Sequence, residues 1–346
     1  MPELAPDAPA STEVAGRHYR VRDHYEVGRE KVREFARAVQ NNHPAHRYEA
    51  DAGKLGCDGI IAPPTFTSVI GGLTTQALLD NVLTDYDLSQ VLQTDQVFEI
   101  HRPIQAGARL RTEAEIASIR HLRGNDFVTV KTTVVDENEV VVQVAATTIV
   151  ARLGEEIDPE IVRLVEGLVM HRPDASRNRE VLIPIGTGQA TAAPELAESR
   201  RDWEVHTIPT FDSLSVGDQL PIATRQVTRG DLVNYAGVSG DANPIHFSDH
   251  AAELAGLPTV VAHGMLTMGL GADYLSTWLG DPTAIETYSV RFSGFVPVET
   301  TTPAEIEFTG RIKALDPERR TATVLLGGTS VGKKLFGRAI AQVRLS

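Results

Sequence analysis

An aspartate and a histidine five residues apart, Asp241 and His246, lie in the run Tyr235-Ala-Gly-Val-Ser-Gly-Asp-Ala-Asn-Pro-Ile-His246, and Ala262-His-Gly-Met265 follows. A carboxylate and an imidazole held together can take a proton from one atom and deliver one to another. Gly264 stands just ahead of an apolar segment that reads as a buried helix. Its N–H therefore belongs to a helix N-terminus, where unpaired donors and the positive dipole end can hold a developing oxyanion. Asn243 and Ser239 are loop-positioning or substrate-binding candidates. His263 is expected to shape the turn more than to move protons. Asn-Pro and Gly-Asp are common turn pairs, and either alone would be structural; the joint spacing, with the later His-Gly, reads as a working site.

The frame recurs 200 positions earlier as Phe35-Ala-Arg-Ala-Val-Gln-Asn-Asn-His-Pro-Ala-His46, with Pro63-Pro64 where the later copy has His263-Gly264. There the aspartate is Asn41, which cannot exchange a proton as a carboxylate does, and Pro64 has no N–H to donate. His46 is left without partners. One site is expected, in the second half.

The elements that must position these residues repeat too. In the second half a short strand lies within 214–227, and a helix spans 228–237 with Thr228 as N-cap. A second short helix covers 249–255 and a buried helix runs from 265 to about 279. Strands follow at 304–313, 321–326 and 334–345, with a turn at Asp316-Pro317. The first half matches, with helices at 28–39 and 65–79 and strands at 108–120, 127–136 and 140–152. Phe98 and Pro103 match Phe292 and Pro297 at an offset of 194. A period this long means two copies of one domain, not a solenoid repeat. The expected layout is a flexible tail over 1–16, a degenerate domain over 17–152, a connector over 153–205 with a helix at 158–170, and a second domain over 206–346.

Composition sets limits. The chain of 346 residues carries a formal net charge of −13, which argues against a nucleic-acid surface. Arg311, Lys313, Lys333, Lys334 and Arg338 could still form a local basic patch for an acidic partner, against the plainer reading of a solvated strand face. No apolar run reaches the roughly 20 residues of a membrane span. The single cysteine, Cys57, permits no internal disulfide and fits a cytoplasmic protein. It could be reactive if its loop borders a substrate channel, but a bystander thiol is the stronger expectation. No Cys/His cluster has metal-ligand spacing, and no glycine-rich loop suits a dinucleotide. Gly327-Gly328 reads as a bulge or kink.

The run from Tyr235 to Ala252, with aromatic Tyr235, Ser239-Gly240-Asp241, Asn243-Pro244, His246 and small Ala251, resembles the signature of MaoC-like, R-specific hydratases and dehydratases. Apart from tail and connector, the chain resembles a fusion of the HadA and HadB dehydratase subunits of actinobacterial fatty-acid synthase II, which serves mycolic-acid synthesis. The resemblance implies an α+β double hotdog, two tandem domains each with a long helix wrapped by an antiparallel sheet. It implies dehydration of (3R)-hydroxyacyl thioesters on acyl carrier protein, with no cofactor beyond the phosphopantetheine arm that carries the substrate. Asp241 and His246 would be the acid–base pair, their roles open, and the Gly264 N–H the oxyanion donor. The first half would shape the acyl channel through Phe66, Val69, Ile70 and Leu73, unless these are plain core. Rival readings are an R-specific enoyl-CoA hydratase and a non-catalytic acyl-binding or scaffold protein. The fused chain could also pair with a second copy.

Overall fold

The computed structural model describes residues 14–86, 91–152, 163–164, 167–168 and 181–346. Of the expected helix at 158–170 only 163–164 and 167–168 are described, and these are helical, while nearly all of the expected tail lies outside the described residues. The first half contains β1 (His18–Val21), β2 (Tyr25–Glu26), α1 (Arg29–Ala38), α2 (Glu49–Gly53), α3 (Thr67–Asn81), β3 (Val91–Ile100), β4 (Arg109–Leu122), β5 (Asn125–Val135) and β6 (Val141–Arg152). Then come β7 (Leu182–Ile185) and α4 (Leu196–Ser199). The second half holds β8 (Gln219–Val227), α5 (Arg229–Ser239), α6 (Asp249–Leu254), α7 (Gly264–Leu279), β9 (Ile285–Phe292), β10 (Ala304–Asp316), β11 (Thr321–Ser330), β12 (Lys333–Lys334) and β13 (Phe336–Arg344).

The strands form one sheet in the order β7-β1-β4-β5-β6-β3-β9-β13-β11-β10-β8, with β2 on β4 and β12 on β11. The two halves join where β3 pairs antiparallel with β9, Val97 opposite Ser289 and Phe98 opposite Tyr288. This is a double hotdog, two α+β units sharing a continuous sheet. Sequence patterning left both joining strands unassigned. Polar Gln96 is buried in β3, and Glu286 is buried in β9 beside Ile285. With Leu92 of β3 exposed as well, residue type departs from the apolar-in, polar-out alternation that marks a half-exposed strand.

A single core cluster runs through both halves, including Phe35, Phe66, Tyr235, Leu266, Tyr288 and Phe308. At its centre α7 is buried on nearly every side. Glycines allow that approach: a Cβ on Gly269 would lie 2.5 Å from Val39 Cγ1, across the joint between halves, and one on Gly271 would lie 2.3 Å from the Tyr288 hydroxyl.

Three expectations are corrected. Gly327 and Gly328 pair in register with Thr309 and Phe308, and the irregularity in that ladder falls between Ile312 and Ala314. Side chains there would meet Thr309 Oγ1 at 2.5 Å and the Phe336 ring at 2.8 Å, so these glycines admit neighbours instead of making a bulge. The bridges Ile61 to Gln105 and Val261 to Pro297 are equivalent, which sets the local offset at 192 and not 194. The connector is also more than a spacer. Its β7 extends the sheet on β1, and its Arg200 is fully buried, donating to the carbonyls of Thr283 (2.6 Å) and Ile100 (3.4 Å). Beside it, Glu286 takes salt bridges from Arg319 and Arg344 at 2.9 Å each.

Candidate active site

The motif loop is built from the end of α5. Thr228 caps that helix, accepting from the Asp231 N–H, while the Asp231 carboxylate takes the Thr228 N–H at 2.8 Å. The helix ends at Gly240 with φ 81°, a left-handed residue that turns the chain toward Asp241. Ser239 Oγ donates to the Tyr235 carbonyl (2.7 Å) and accepts from the Asp241 N–H (3.2 Å). Asp241 Oδ1 accepts from the Asn243 N–H at 3.3 Å. The Asn243 side chain accepts from the Ile245 N–H and caps the short 3-10 turn Pro244–His246. Asn243 and Ser239 therefore brace the loop.

His246 is buried and its Nδ1 lies 2.7 Å from the carbonyl of Val261. A carbonyl only accepts, so Nδ1 carries the proton and Nε2 presents a lone pair. Burial holds the His246 pKa below its usual value, and the charge of Asp241 works in the opposite direction. The imidazole is thus neutral and basic at physiological pH. Val261 was not singled out in the sequence, since a carbonyl contributes no residue-type signal.

His263 stacks on His246, ring centroids 3.8 Å apart and planes 27° apart, and packs against Tyr235 at 4.9 Å. Its Nε2 donates to the Asp241 backbone carbonyl at 3.1 Å. Burial, followed by the adjacent His246, pushes its pKa down to about 3. It acts as a neutral brace on the motif loop. A carboxylate oxygen of Asp241 and one ring nitrogen from each histidine all lie within 4.8 Å of one another.

Gly264 is the first residue of α7, with His263 extended ahead of it (φ −58°, ψ 134°). A Cβ here would touch the Phe292 ring at 3.4 Å. The other half reaches the first turn of α7, where Gln93 Nε2 of β3 lies 3.4 Å from Met265 Sδ. Asp241 itself is exposed, so the chain alone does not supply the apolar enclosure that would make an aspartate a ready acid.

The first-half copy retains the geometry without the chemistry. His46 Nδ1 lies 2.7 Å from the Ile61 carbonyl, matching His246 and Val261. Its Nε2 is enclosed without a partner, as is Asn41 Nδ2, and burial drives its pKa to about 3. Among the channel candidates, Phe66 packs edge-on against Phe35 at 5.4 Å in the common core, where Val69 and Ile70 are also buried, while Leu73 is 57% exposed. The four do not form one wall. Cys57 is 4% exposed, and burial raises its thiol pKa to about 11, which makes it inert. No described helix is long and apolar enough to cross a membrane.

Comparison with known proteins agrees with this architecture. Residues 13–144 match the family model described as FAS1-like, dehydratase domain region, and residues 215–328 match the MaoC like domain. A solved structure titled MaoC-like dehydratase is 44% identical, covers 97% of this chain and 100% of its own, and superposes with a TM-score of 0.88. A UPF0336 protein of Saccharopolyspora erythraea is 40% identical over 152 residues, which is 44% of this chain and 97% of that protein. A Mycobacterium tuberculosis protein with a double hotdog fold is 13% identical with a TM-score of 0.63, covering 97% of this chain and 98% of its own, a likeness of fold alone. Fold and motif together define a hydro-lyase of the hydratase and dehydratase kind. The chain belongs to the MaoC-like dehydratase family.

Proposed function

We propose that this chain dehydrates (3R)-hydroxyacyl thioesters on acyl carrier protein to trans-2-enoyl thioesters during fatty-acid chain elongation. The observation that carries the reading is the neutral His246, its Nε2 free, beside Asp241 and the N-terminus of α7. In the proposed reaction, Nε2 takes the α-proton while the thioester oxygen gains enolate character. The Gly264 N–H and the positive end of α7 stabilise that oxygen. The imidazolium then returns its proton to the β-hydroxyl, which leaves as water with Asp241 holding it. Asp241 gains and loses no proton in this cycle, so its exposure is compatible with this role. Proton and leaving group balance, and the reverse path is hydration. The side chains suffice, with the substrate on its phosphopantetheine arm.

The test is hydration of a long trans-2-enoyl thioester, on acyl carrier protein and on coenzyme A in parallel, followed by loss of the conjugated enoyl absorbance. Asp241→Asn should lower kcat by about 10²–10⁴, and Asn41→Ala should leave it within twofold. Faster turnover on coenzyme A would favour the enoyl-CoA hydratase. No turnover on either carrier across several chain lengths would leave an acyl-binding role.

A further inference from the structure

A group of exposed basic residues lies on the hairpin that packs against the segment following Phe292. The Phe292 ring lies on Gly264, and the chain runs on through Ser293 and Gly294, whose N–H groups both donate to the Leu335 carbonyl at 2.9 and 3.1 Å. That contact brings in Lys333 and Lys334 of β12 and Arg338 of β13, all exposed. None of the three forms a salt bridge among the described residues. Arg338 stands directly opposite Arg291 across the β9–β13 ladder, and Arg291 is held by Asp95 at 2.8 Å. Asp95 answers the Arg291 charge, and Arg338, also exposed, is left as the cation of the two without a salt bridge among the described residues. Two apolar side chains lie among these cations: Phe295 is 42% exposed and Val331, in the hairpin turn, 79% exposed. Glu307 stands in the same row as Thr329 and Lys334, marking one border of the patch.

We infer that Lys333, Lys334, Arg338 and Phe295 form a docking surface for a small acidic carrier protein that delivers its thioester to the Asp241–His246 site. The inference rests on the thioester reading of that site. A nucleotide diphosphate needs cations converging in a pocket, whereas these lie on an open hairpin around apolar side chains, the arrangement of a protein-binding face with a charged rim. In a chain of net charge −13, a local cationic patch also steers an acidic partner to this face.

The experiment compares the full chain with Lys333→Glu/Lys334→Glu and, separately, Arg338→Glu. Each is assayed with the same enoyl group on an acidic acyl carrier protein and on coenzyme A, alongside direct calorimetric binding of holo carrier protein. The expected result is a KM for the carrier-linked substrate raised at least tenfold, with values for the coenzyme A substrate changed less than twofold. An unchanged carrier KM would overturn the surface, and so would an equal rise for both substrates. If the native chain turns over neither thioester, the dehydratase reading fails. The surface then stands only if native chain binds carrier protein and the glutamate variants do not; absence of native binding rejects it.

Discussion

At the scale of single residues, the site depends on backbone groups as much as on side chains. The Val261 carbonyl selects the tautomer of His246, and the Asp241 carbonyl holds His263 against it. Gly264 offers a direct test of the oxyanion donor. The first-half counterpart is Pro64, and proline suits the first position of a helix. His263 already has the extended backbone that a residue before proline prefers. Gly264→Pro should therefore fold with an unchanged far-ultraviolet spectrum while kcat falls by about 10²–10³. Full activity in this variant would remove the Gly264 N–H from the mechanism. Asn41 and Pro64 show how the other copy loses chemistry while its shape persists.

At the scale of elements, α7 has two tasks: in the proposed reaction its N-terminus holds the thioester oxygen, and its body fills the joint between halves. The second task depends on missing side chains. Because a Cβ on Gly269 would sit 2.5 Å from Val39 Cγ1 and 2.9 Å from its Cβ, Gly269→Ala forces α1 and α7 apart. The expected loss is about 1–3 kcal/mol, as for other overpacked cores, read from urea unfolding. Val39→Ala in the same background should recover part of it, since it removes the colliding methyls; no recovery would place the strain elsewhere. The strands β3 and β9 illustrate the limit of periodicity. In both, polar residues are buried (Gln96, Glu286), and in β3 the apolar Leu92 is exposed, so residue type does not follow burial.

At the scale of the whole molecule, buried histidines link stability to pH. His46 and His263 are held to about 3 and His101 to about 4, chiefly by burial. All stay neutral in the folded chain, whereas the unfolded chain protonates them below about 6.5. The unfolded state then binds more protons, so their contribution is present above pH 6.5 and is lost as pH falls toward 3–4. Thermal unfolding should show a Tm that declines from pH 6.5 to 5, with a shallower slope in His46→Gln. An identical slope in that variant would mean His46 is not protonated on unfolding. These groups lie in both halves, which share one continuous sheet and a core cluster that spans the joint, so the loss belongs to the whole chain.

The sequence by itself determined the duplication, the helices, most strands, and the unequal motifs, because residue type and spacing are local quantities. Asp241, His246 and Gly264 were legible for that reason. Only the tertiary structure decided that the halves share one sheet through β3 and β9, that the Val261 carbonyl sets the His246 tautomer, and that Gln93 reaches the first turn of α7 from the other half. It also placed Lys333, Lys334 and Arg338 next to the segment that follows Phe292, and buried Arg200 of the connector. Each of these is a contact between segments far apart in the chain. Such contacts follow from how the whole sheet closes over its helices, which no local pattern of side chains encodes.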